Sequence, residues 1–249
     1  MDKEQLDIKL IALDMDGTLL DDSHQVSDEN RRAITDAEAK GVKVVLSTGR
    51  NLATCRDYAV SLALSSYLVT INGAEIWGPE GELVERNPVS LPLMEWMYDI
   101  SKKHKTNFWA ISTERVFRNE MPENLGDHEW LKFGFDVPED AVRETVLKLL
   151  RDKGELEISN SSPTNLEVNA IGINKAEALK KVCEFLEIKM ENVMAVGDSM
   201  NDMLMIKEAG LGVAMGNAQQ LVKDEADWVT STNNESGVGK AIRKWVLSE

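Results

Sequence analysis

Residues 9–13 form a short, mostly apolar run that changes abruptly at Asp14 into the segment DMDGTLLDD. This pattern is typical of a buried parallel strand at the point where it ends in a loop. Ligands in open α/β sheets bind beyond the carboxyl ends of the strands, so Asp14 and Asp16 are candidate site residues. Their spacing of two lets both side chains point to the same side of an extended loop. Two carboxylates in one small volume imply a divalent metal, an acid/base pair, or both.

This segment has two other interpretations. A calcium loop does not fit, because the glycine comes two positions early, Gln25 occupies the twelfth position, and a strand rather than a helix precedes the loop. A polar turn without function is the second alternative. Gly17 allows a sharp backbone turn, and Thr18 offers a hydroxyl and an amide to an anion.

The pattern before and after this segment predicts alternating strands and helices. Residues 27–40 are predicted to be a helix that Ser27 caps and Gly41 ends. Further strands are predicted at 42–46, 67–71 and 193–196, followed by a strand and turn in 211–218 and then a last short strand and a closing helix. Each apolar strand ends in polar residues, which favours an α/β fold with a parallel sheet.

A different pattern occupies residues 83–169. Strands with short connections and two helices, one with Leu93, Trp96, Met97 and Ile100 on one face and one at 138–152, predict an antiparallel α+β insert. Its strand aromatics could line a pocket, but aromatic residues on strands are usually core residues. They are Phe108, Trp109, Trp130, Phe133 and Phe135. We therefore expect a core of 1–82 and 170–249 interrupted by this insert.

Composition limits the partners that this chain can bind. The net charge is −15, with 43 acidic against 28 basic residues, which argues against nucleic acid or an anionic membrane. Cys55 and Cys183 lie far apart in the sequence, and His24, His104 and His128 show no metal-ligand spacing. The start, MDKEQLDIK, lacks the profile of a signal peptide, so a cytoplasmic protein is expected.

Three further polar segments are candidate site elements. Thr48, Gly49 and Arg50 follow the strand at 42–46, where an ordinary strand-to-helix turn is the alternative. Lys175 opens a predicted helix, where a solvated surface lysine is the alternative. The segment G-D-x-x-N-D, residues 197–202, follows the strand at 193–196, where helix capping is the alternative.

The segment DMDGTLLDD resembles the first motif of the haloacid dehalogenase superfamily of phosphohydrolases. This resemblance implies that Asp14 is a nucleophile and that Asp16 is a general acid/base. Thr48 followed by Gly49 is similar to the second motif, which implies hydrogen bonds to the phosphate. Arg50 either adds a charged hydrogen bond or only pairs with nearby acids.

Two later segments are similar to the third and fourth motifs of that superfamily. Lys175 stands where the superfamily has its lysine, although Ala176 replaces the glycine that usually follows. The fourth motif implies that Asp198 is a metal ligand, that Asn201 contacts the phosphate or the metal shell, and that Asp202 supports the site.

The four motifs occur in the expected order, and together with the segments INGA and VAMGNA they make the chain resemble the Cof-type branch. The resemblance implies a doubly wound, Rossmann-like parallel core and an inserted α+β cap of the C2 type. It also implies hydrolysis of a small phosphorylated metabolite, such as a sugar phosphate, a nucleotide or a cofactor-like phosphomonoester, through an aspartyl phosphate. The implied cofactor is Mg²⁺, with Asp14, Asp198 and the backbone carbonyl of Asp16 as ligands.

Other functions remain open at the level of sequence. A phosphotransferase or sugar-phosphate mutase would use the same core, and a signalling receiver also phosphorylates an aspartate on a parallel sheet. The expected partner is a small phosphorylated molecule, and the protein is expected to be a monomer or homodimer. No motif identifies the substrate, because it depends on residues of the insert.

Overall fold

A computed structural model of the chain describes residues 6–249. Residues 1–5, which include part of the start expected not to be a signal peptide, lie outside the described residues. The described chain divides into two compact units, one made of residues 6–84 and Lys175–Glu249 and the other of Glu85–Asn174. None of its helices is long and apolar enough to cross a membrane.

The first unit contains an eight-stranded sheet within the described residues, in the order β13-β12-β11-β1-β2-β3-β4-β5. Neighbouring strands from β13 to β3 are parallel, and β4 is antiparallel to β3. The strands are β1 Leu10–Leu13, β2 Lys43–Ser47, β3 Leu68–Thr70, β4 Glu75–Trp77, β5 Leu83–Arg86, β11 Val193–Gly197, β12 Leu211–Ala214 and β13 Trp228–Val229. The helices are α1 Asp28–Ala39, α2 Leu52–Ser61, α5 Lys175–Phe185, α6 Met203–Glu208, α7 Gln220–Glu225 and α8 Gly237–Ile242.

The central strand β1 explains why helices cover both faces of this sheet. All four of its residues are buried. Ile11 and Leu13 belong to an apolar cluster with residues of α1 and α8, whereas Leu10 and Ala12 belong to a cluster with residues of α5. Successive side chains of a strand point to opposite faces, so a continuous apolar strand needs cover on both sides. The predicted doubly wound α/β core is confirmed.

Local signals fix the first βαβ unit. The Ser27 side chain accepts a hydrogen bond from the Asn30 amide at the start of α1, as predicted from the sequence. Gly41 follows the end of this helix with a φ of +85°. The next strand, β2, then pairs with β1 in parallel, so that Leu13 lies beside Leu46.

The second unit is a five-stranded antiparallel sheet, in the order β7-β6-β8-β10-β9, together with two helices among its described residues. The strands are β6 Asn107–Ser112, β7 Val116–Arg118, β8 Trp130–Asp136, β9 Leu156–Ser159 and β10 Asn165–Ala170, and the helices are α3 Leu91–His104 and α4 Asp140–Lys153. The predicted antiparallel α+β insert has this architecture.

Most of the insert's aromatic side chains form its core. The Phe108 and Phe133 rings stack with centroids 5.4 Å apart, and Phe135 packs against Phe133 at 4.7 Å. These residues and Trp130 are at most 8% exposed. The core interpretation is therefore correct for these four residues. Trp109 is only partly buried and lies over Gly134, where a Cβ would stand 2.1 Å from the indole.

Candidate active site

The loop after β1 places Asp14 at the carboxyl end of the central strand. Its amide donates to the Val196 carbonyl of β11 over 3.0 Å, and the residue is 5% exposed. The loop then turns at Gly17, which has a φ of +81°. A Cβ at Gly17 would stand 2.7 Å from Asp198 Oδ2, so only glycine lets the loop approach Asp198 this closely.

Hydrogen bonds join this loop to the segment after β11. The Thr18 hydroxyl, for which the sequence predicted an anion as partner, donates to Asp198 Oδ1 over 2.9 Å. The Ser199 hydroxyl donates to Asp198 Oδ2 over 2.8 Å. The side-chain amide of Asn217 donates to the Gly17 carbonyl over 2.8 Å. The hydroxyls of Thr18 and Ser199 thus fix the position of the Asp198 carboxylate.

Lys175 lies at the centre of the acidic cluster. Its Nζ is 2.5 Å from Asp14 Oδ1 and 2.6 Å from Asp202 Oδ1, and the side chain is completely buried. A surface lysine, the alternative open from the local sequence, is therefore excluded. α5 begins at this residue, as the sequence predicted.

The Asp202 carboxylate connects Lys175 to the backbone amides of the segment after β11. Its Oδ1 accepts from Lys175, and its Oδ2 accepts from the amides of Asp198 and Ser199 over 3.0 and 3.1 Å. Both oxygens are engaged and the residue is 0% exposed. The supporting role that the fourth motif implies for Asp202 stays a prediction.

The cluster contains more negative than positive charge. Burial, together with the negative charge of Asp202, raises the pKa of Asp14 well above its ordinary value despite Lys175. Burial and Asp202 likewise raise the pKa of Asp198 to about 6. Burial alone would lower the pKa of Lys175, but the charges of Asp14 and Asp202 more than offset it, so the pKa rises. The carboxylates therefore favour a further positive charge.

These residues fit a divalent metal ion. Asp14, Asp198 and Asp202 each offer an oxygen atom, and the three oxygens lie within 4.8 Å of one another. Carboxylate oxygens are the ligands that hard divalent cations prefer. Because Asp202 is saturated by its own hydrogen bonds, Asp14 and Asp198 are the two members best able to turn toward an ion.

The Asp16 carboxylate lies outside this group. The Arg50 guanidinium donates bidentate hydrogen bonds to it, with Nε 2.7 Å from Oδ2 and Nη2 2.5 Å from Oδ1. Asp16 is half exposed, and His24 Nδ1 is 3.7 Å from Oδ1. Asp14 and Asp16 thus each have a basic partner of their own, Lys175 and Arg50 respectively.

The segment after β2 places Thr48 against β3. Thr48 is 1% exposed, its amide donates to the Val69 carbonyl, and its hydroxyl accepts from the Arg50 amide over 3.1 Å. Asn201 lies beside Asp202, and its amide donates to Asn72 Oδ1 over 3.3 Å. The ends of β1, β2, β3 and β11 thus carry the candidate site residues together with Lys175.

A family model described as haloacid dehalogenase-like hydrolase matches residues 11–145 and 117–242. The chain belongs to this family. The matched residues include Asp14, Thr48, Lys175 and Asp198. A solved haloacid dehalogenase-like hydrolase from B. subtilis superposes with a TM-score of 0.87 at 27% identity, covering 95% of this chain and 99% of the other.

Curated haloacid dehalogenase-like relatives match at full length. The 5-amino-6-(5-phospho-D-ribitylamino)uracil phosphatase YcsE of Bacillus subtilis is 62% identical over 98% of both chains. The phosphoglycolate phosphatase of Methanobrevibacter smithii is 31% identical, over 97% of this chain and all of the other. The predicted membership of the superfamily and of its Cof-type branch is confirmed.

Some residues that build the site of this haloacid dehalogenase-like hydrolase carried no predicted role. Ser199 and Asn217 hold Asp198 and Gly17, and Asn72 contacts Asn201. The segments INGA and VAMGNA, which contain Asn72 and Asn217, were the only sequence signal. Their polar residues after apolar runs could have suggested further strand-end contacts.

Proposed function

We propose that this protein is a phosphatase that hydrolyses 5-amino-6-(5-phospho-D-ribitylamino)uracil and releases inorganic phosphate. The observation that carries the proposal is the full-length identity of 62% with the Bacillus subtilis phosphatase of that name. At 31% identity the family includes a phosphatase named for phosphoglycolate, so identity near 30% does not fix the substrate. The buried Asp14–Lys175–Asp202 arrangement supports the reaction class.

The first step transfers the phosphoryl group to Asp14. Lys175 engages Asp14 Oδ1, and among the described residues no side chain bonds Oδ2, which is left to attack phosphorus. The P–O bond to the ribityl oxygen breaks as the bond to Oδ2 forms, and Asp16 gives a proton to the departing oxygen. The products of this step are an aspartyl phosphate and the free alcohol.

The second step regenerates the free carboxylate of Asp14. Asp16, now a base, takes a proton from water, and the water oxygen attacks phosphorus. The acyl phosphate bond breaks and inorganic phosphate leaves. For Asp16 to reach the substrate, its carboxylate must turn from the geometry in which Arg50 holds both of its oxygens.

Charge neutralisation accounts for much of the catalysis that this reaction needs. Uncatalysed phosphate monoester hydrolysis is so slow that accelerations of up to about 10²¹ are required. Lys175, the Thr48 hydroxyl and the amide of Gly49 would hold phosphoryl oxygens. Mg²⁺, held by Asp14, Asp198 and the Asp16 carbonyl, would supply further positive charge there. The insert, residues 83–169 in the predicted division, would select the substrate.

The test is a comparison of kcat/KM across phosphomonoesters with release of inorganic phosphate as the readout. The panel contains the ribitylaminouracil phosphate, phosphoglycolate, a hexose phosphate and p-nitrophenyl phosphate. We expect the first to have the highest kcat/KM. Asp14→Asn should abolish release, and Asp7→Asn, a change at an exposed aspartate, should leave it intact.

Three outcomes would overturn parts of the proposal. A higher kcat/KM for another ester would reject the substrate but keep the phosphatase class. Phosphoryl transfer to a sugar hydroxyl without phosphate release would indicate a phosphotransferase or mutase. A stable phosphoprotein without turnover would indicate a signalling receiver.

A further inference from the structure

The turn between β3 and β4 has an unusual backbone. Three consecutive residues have positive φ angles, +52° at Ile71, +57° at Asn72 and +99° at Gly73. This region suits glycine and is tolerated by asparagine, but it is unfavourable for a β-branched residue such as isoleucine. Ile71 and Asn72 are 1% and 2% exposed. The surrounding structure must therefore hold the turn in place.

Backbone hydrogen bonds show what this turn holds. The Ile71 amide donates to the Arg50 carbonyl, and the Asn72 amide donates to the Thr48 carbonyl, each over 2.9 Å. The two amides thus donate to carbonyls that are two residues apart in the same segment. The turn thereby fixes the segment that carries Thr48 and Arg50.

The Asn72 side chain reaches a second element of the site. Its Oδ1 accepts from Asn201 Nδ2 over 3.3 Å. With Nδ2 committed in this way, Asn201 Oδ1 is left as an acceptor that is buried and finds no hydrogen-bond partner among the described residues. Buried acceptors are almost always satisfied, so this atom indicates a donor that arrives with a bound ligand.

We infer that Asn72 is a positioning residue for the phosphate site, an inference that rests on the proposed phosphatase activity. Its backbone holds Thr48, and its side chain sets the direction of the Asn201 amide. Asn201 thereby presents its oxygen rather than its nitrogen, and it accepts a hydrogen bond from a donor in the substrate complex. Asn72 acts through these two neighbours and does not itself touch the transferred phosphoryl group.

Two substitutions at Asn72 test its side chain while each keeps a residue that tolerates positive φ. Asn72→Gly keeps a residue that tolerates positive φ and removes the amide, whereas Asn72→Asp keeps an oxygen that can accept from Asn201. A matched control is Asn119→Gly, because Asn119 also has a positive φ, +53°, and uses its Oδ1 to accept from the Phe108 amide over 2.8 Å. The control tests the general cost of changing such a residue.

The measurements are kcat and KM for p-nitrophenyl phosphate, the Ki of inorganic phosphate, and the melting temperature. We expect Asn72→Gly to lower kcat/KM and weaken phosphate inhibition about tenfold, within the usual range for coupled neighbours. Asn72→Asp should retain most of the activity, and Asn119→Gly all of it. Equal activity of Asn72→Gly and the wild type would overturn the inference.

A double-mutant cycle tests whether Asn72 acts through Asn201. The variant with both Asn72→Gly and Asn201→Ala should be no less active than Asn201→Ala alone, because the contact is already lost. Additive losses would reject the coupling. If Asn72→Gly does not fold, Asn72→Ser, whose shorter side chain cannot replace the Asn72 amide, takes its place in the cycle, and a wild-type Ki for phosphate would overturn the inference. Absence of wild-type activity on every phosphomonoester would instead reject the proposed function.

Discussion

Gly17 and Asp198 pack so closely that no side chain fits between them. A Cβ on Gly17 would stand 2.7 Å from Asp198 Oδ2 and 3.0 Å from its Cγ. Since Asp198 is a member of the acidic cluster, the absence of a side chain at Gly17 sets the position of a proposed metal ligand.

Gly17→Ala should therefore reduce activity far more than it reduces stability. The methyl group would displace Asp198, and we expect kcat for p-nitrophenyl phosphate to fall by about 10²-fold, as for misplaced catalytic groups. The control is Gly41→Ala, because Gly41 has a similar φ of +85° but nothing within 4 Å of an added Cβ. It should cost about 1–2 kcal/mol of unfolding free energy and no activity. Equal kinetic losses in the two variants would refute the packing argument.

Lys175→Met should destabilise the fold as well as abolish turnover. It leaves Asp14 and Asp202 without their cation in a buried site, and breaking a buried ion pair costs about 3–5 kcal/mol. Urea unfolding measures this loss. Lys132→Met removes another buried lysine, which is paired with Glu167 at 2.6 Å. It should lose a comparable free energy but keep kcat for p-nitrophenyl phosphate, and retained turnover in Lys175→Met would contradict the assigned role.

Asp14→Asn and Asp16→Asn should differ in whether a phosphoenzyme accumulates. Asp14→Asn lacks the nucleophile and should form no phosphoenzyme. With p-nitrophenyl phosphate, whose leaving group needs no proton, Asp16→Asn should still phosphorylate Asp14, while breakdown slows by about 10²- to 10⁴-fold. Intact-protein mass spectrometry after acid quench should show one added phosphoryl group only on Asp16→Asn. Phosphate on Asp14→Asn would show that the nucleophile is another residue.

Asp198→Asn should stabilise the metal-free protein while it abolishes metal-dependent activity. The folded chain keeps a proton on Asp198 up to a pKa of about 6, whereas an unfolded chain releases it near 3.8. This carboxyl group therefore lowers stability as the pH rises between these values, and the loss persists at pH 7. If the neutral amide recovers about 1 kcal/mol, the Tm at pH 7 without metal rises by about 2–4 °C.

Addition of Mg²⁺ should raise the Tm of the wild type, and excess chelator should abolish its activity. Asp198→Asn should show neither response. Asp202→Asn is the contrasting variant, because its single oxygen can serve either the amides of Asp198 and Ser199 or Lys175, while its NH2 group opposes the other donors, and its Tm should fall. Full wild-type turnover in chelator would argue against a metal in the reaction.

The sequence predicted the α/β class and the family because their signals are local. An apolar run that ends in Asp14, and the order of the motifs, can be recognised without knowledge of tertiary contacts. The buried state of Lys175 could not be predicted in this way, since its partner Asp14 lies 161 positions away. The pairing of Asp16 with Arg50 depends on the meeting of two strand ends, and the role of Asn72 depends on a left-handed turn that its sequence does not specify.

The position of β1 between β2 and β11 has a consequence for synthesis of the chain on the ribosome. One neighbour of β1 emerges soon after it, but the other, Val193–Gly197, emerges only after the whole insert. Until then β1 has an unpaired edge of apolar residues, which is the kind of surface that promotes association between incomplete chains. Asp14 also has neither Lys175 nor Asp198 beside it during this interval. The nascent chain therefore contains the proposed nucleophile long before the rest of the site is synthesised, and a product truncated within the insert would be both inactive and prone to aggregate.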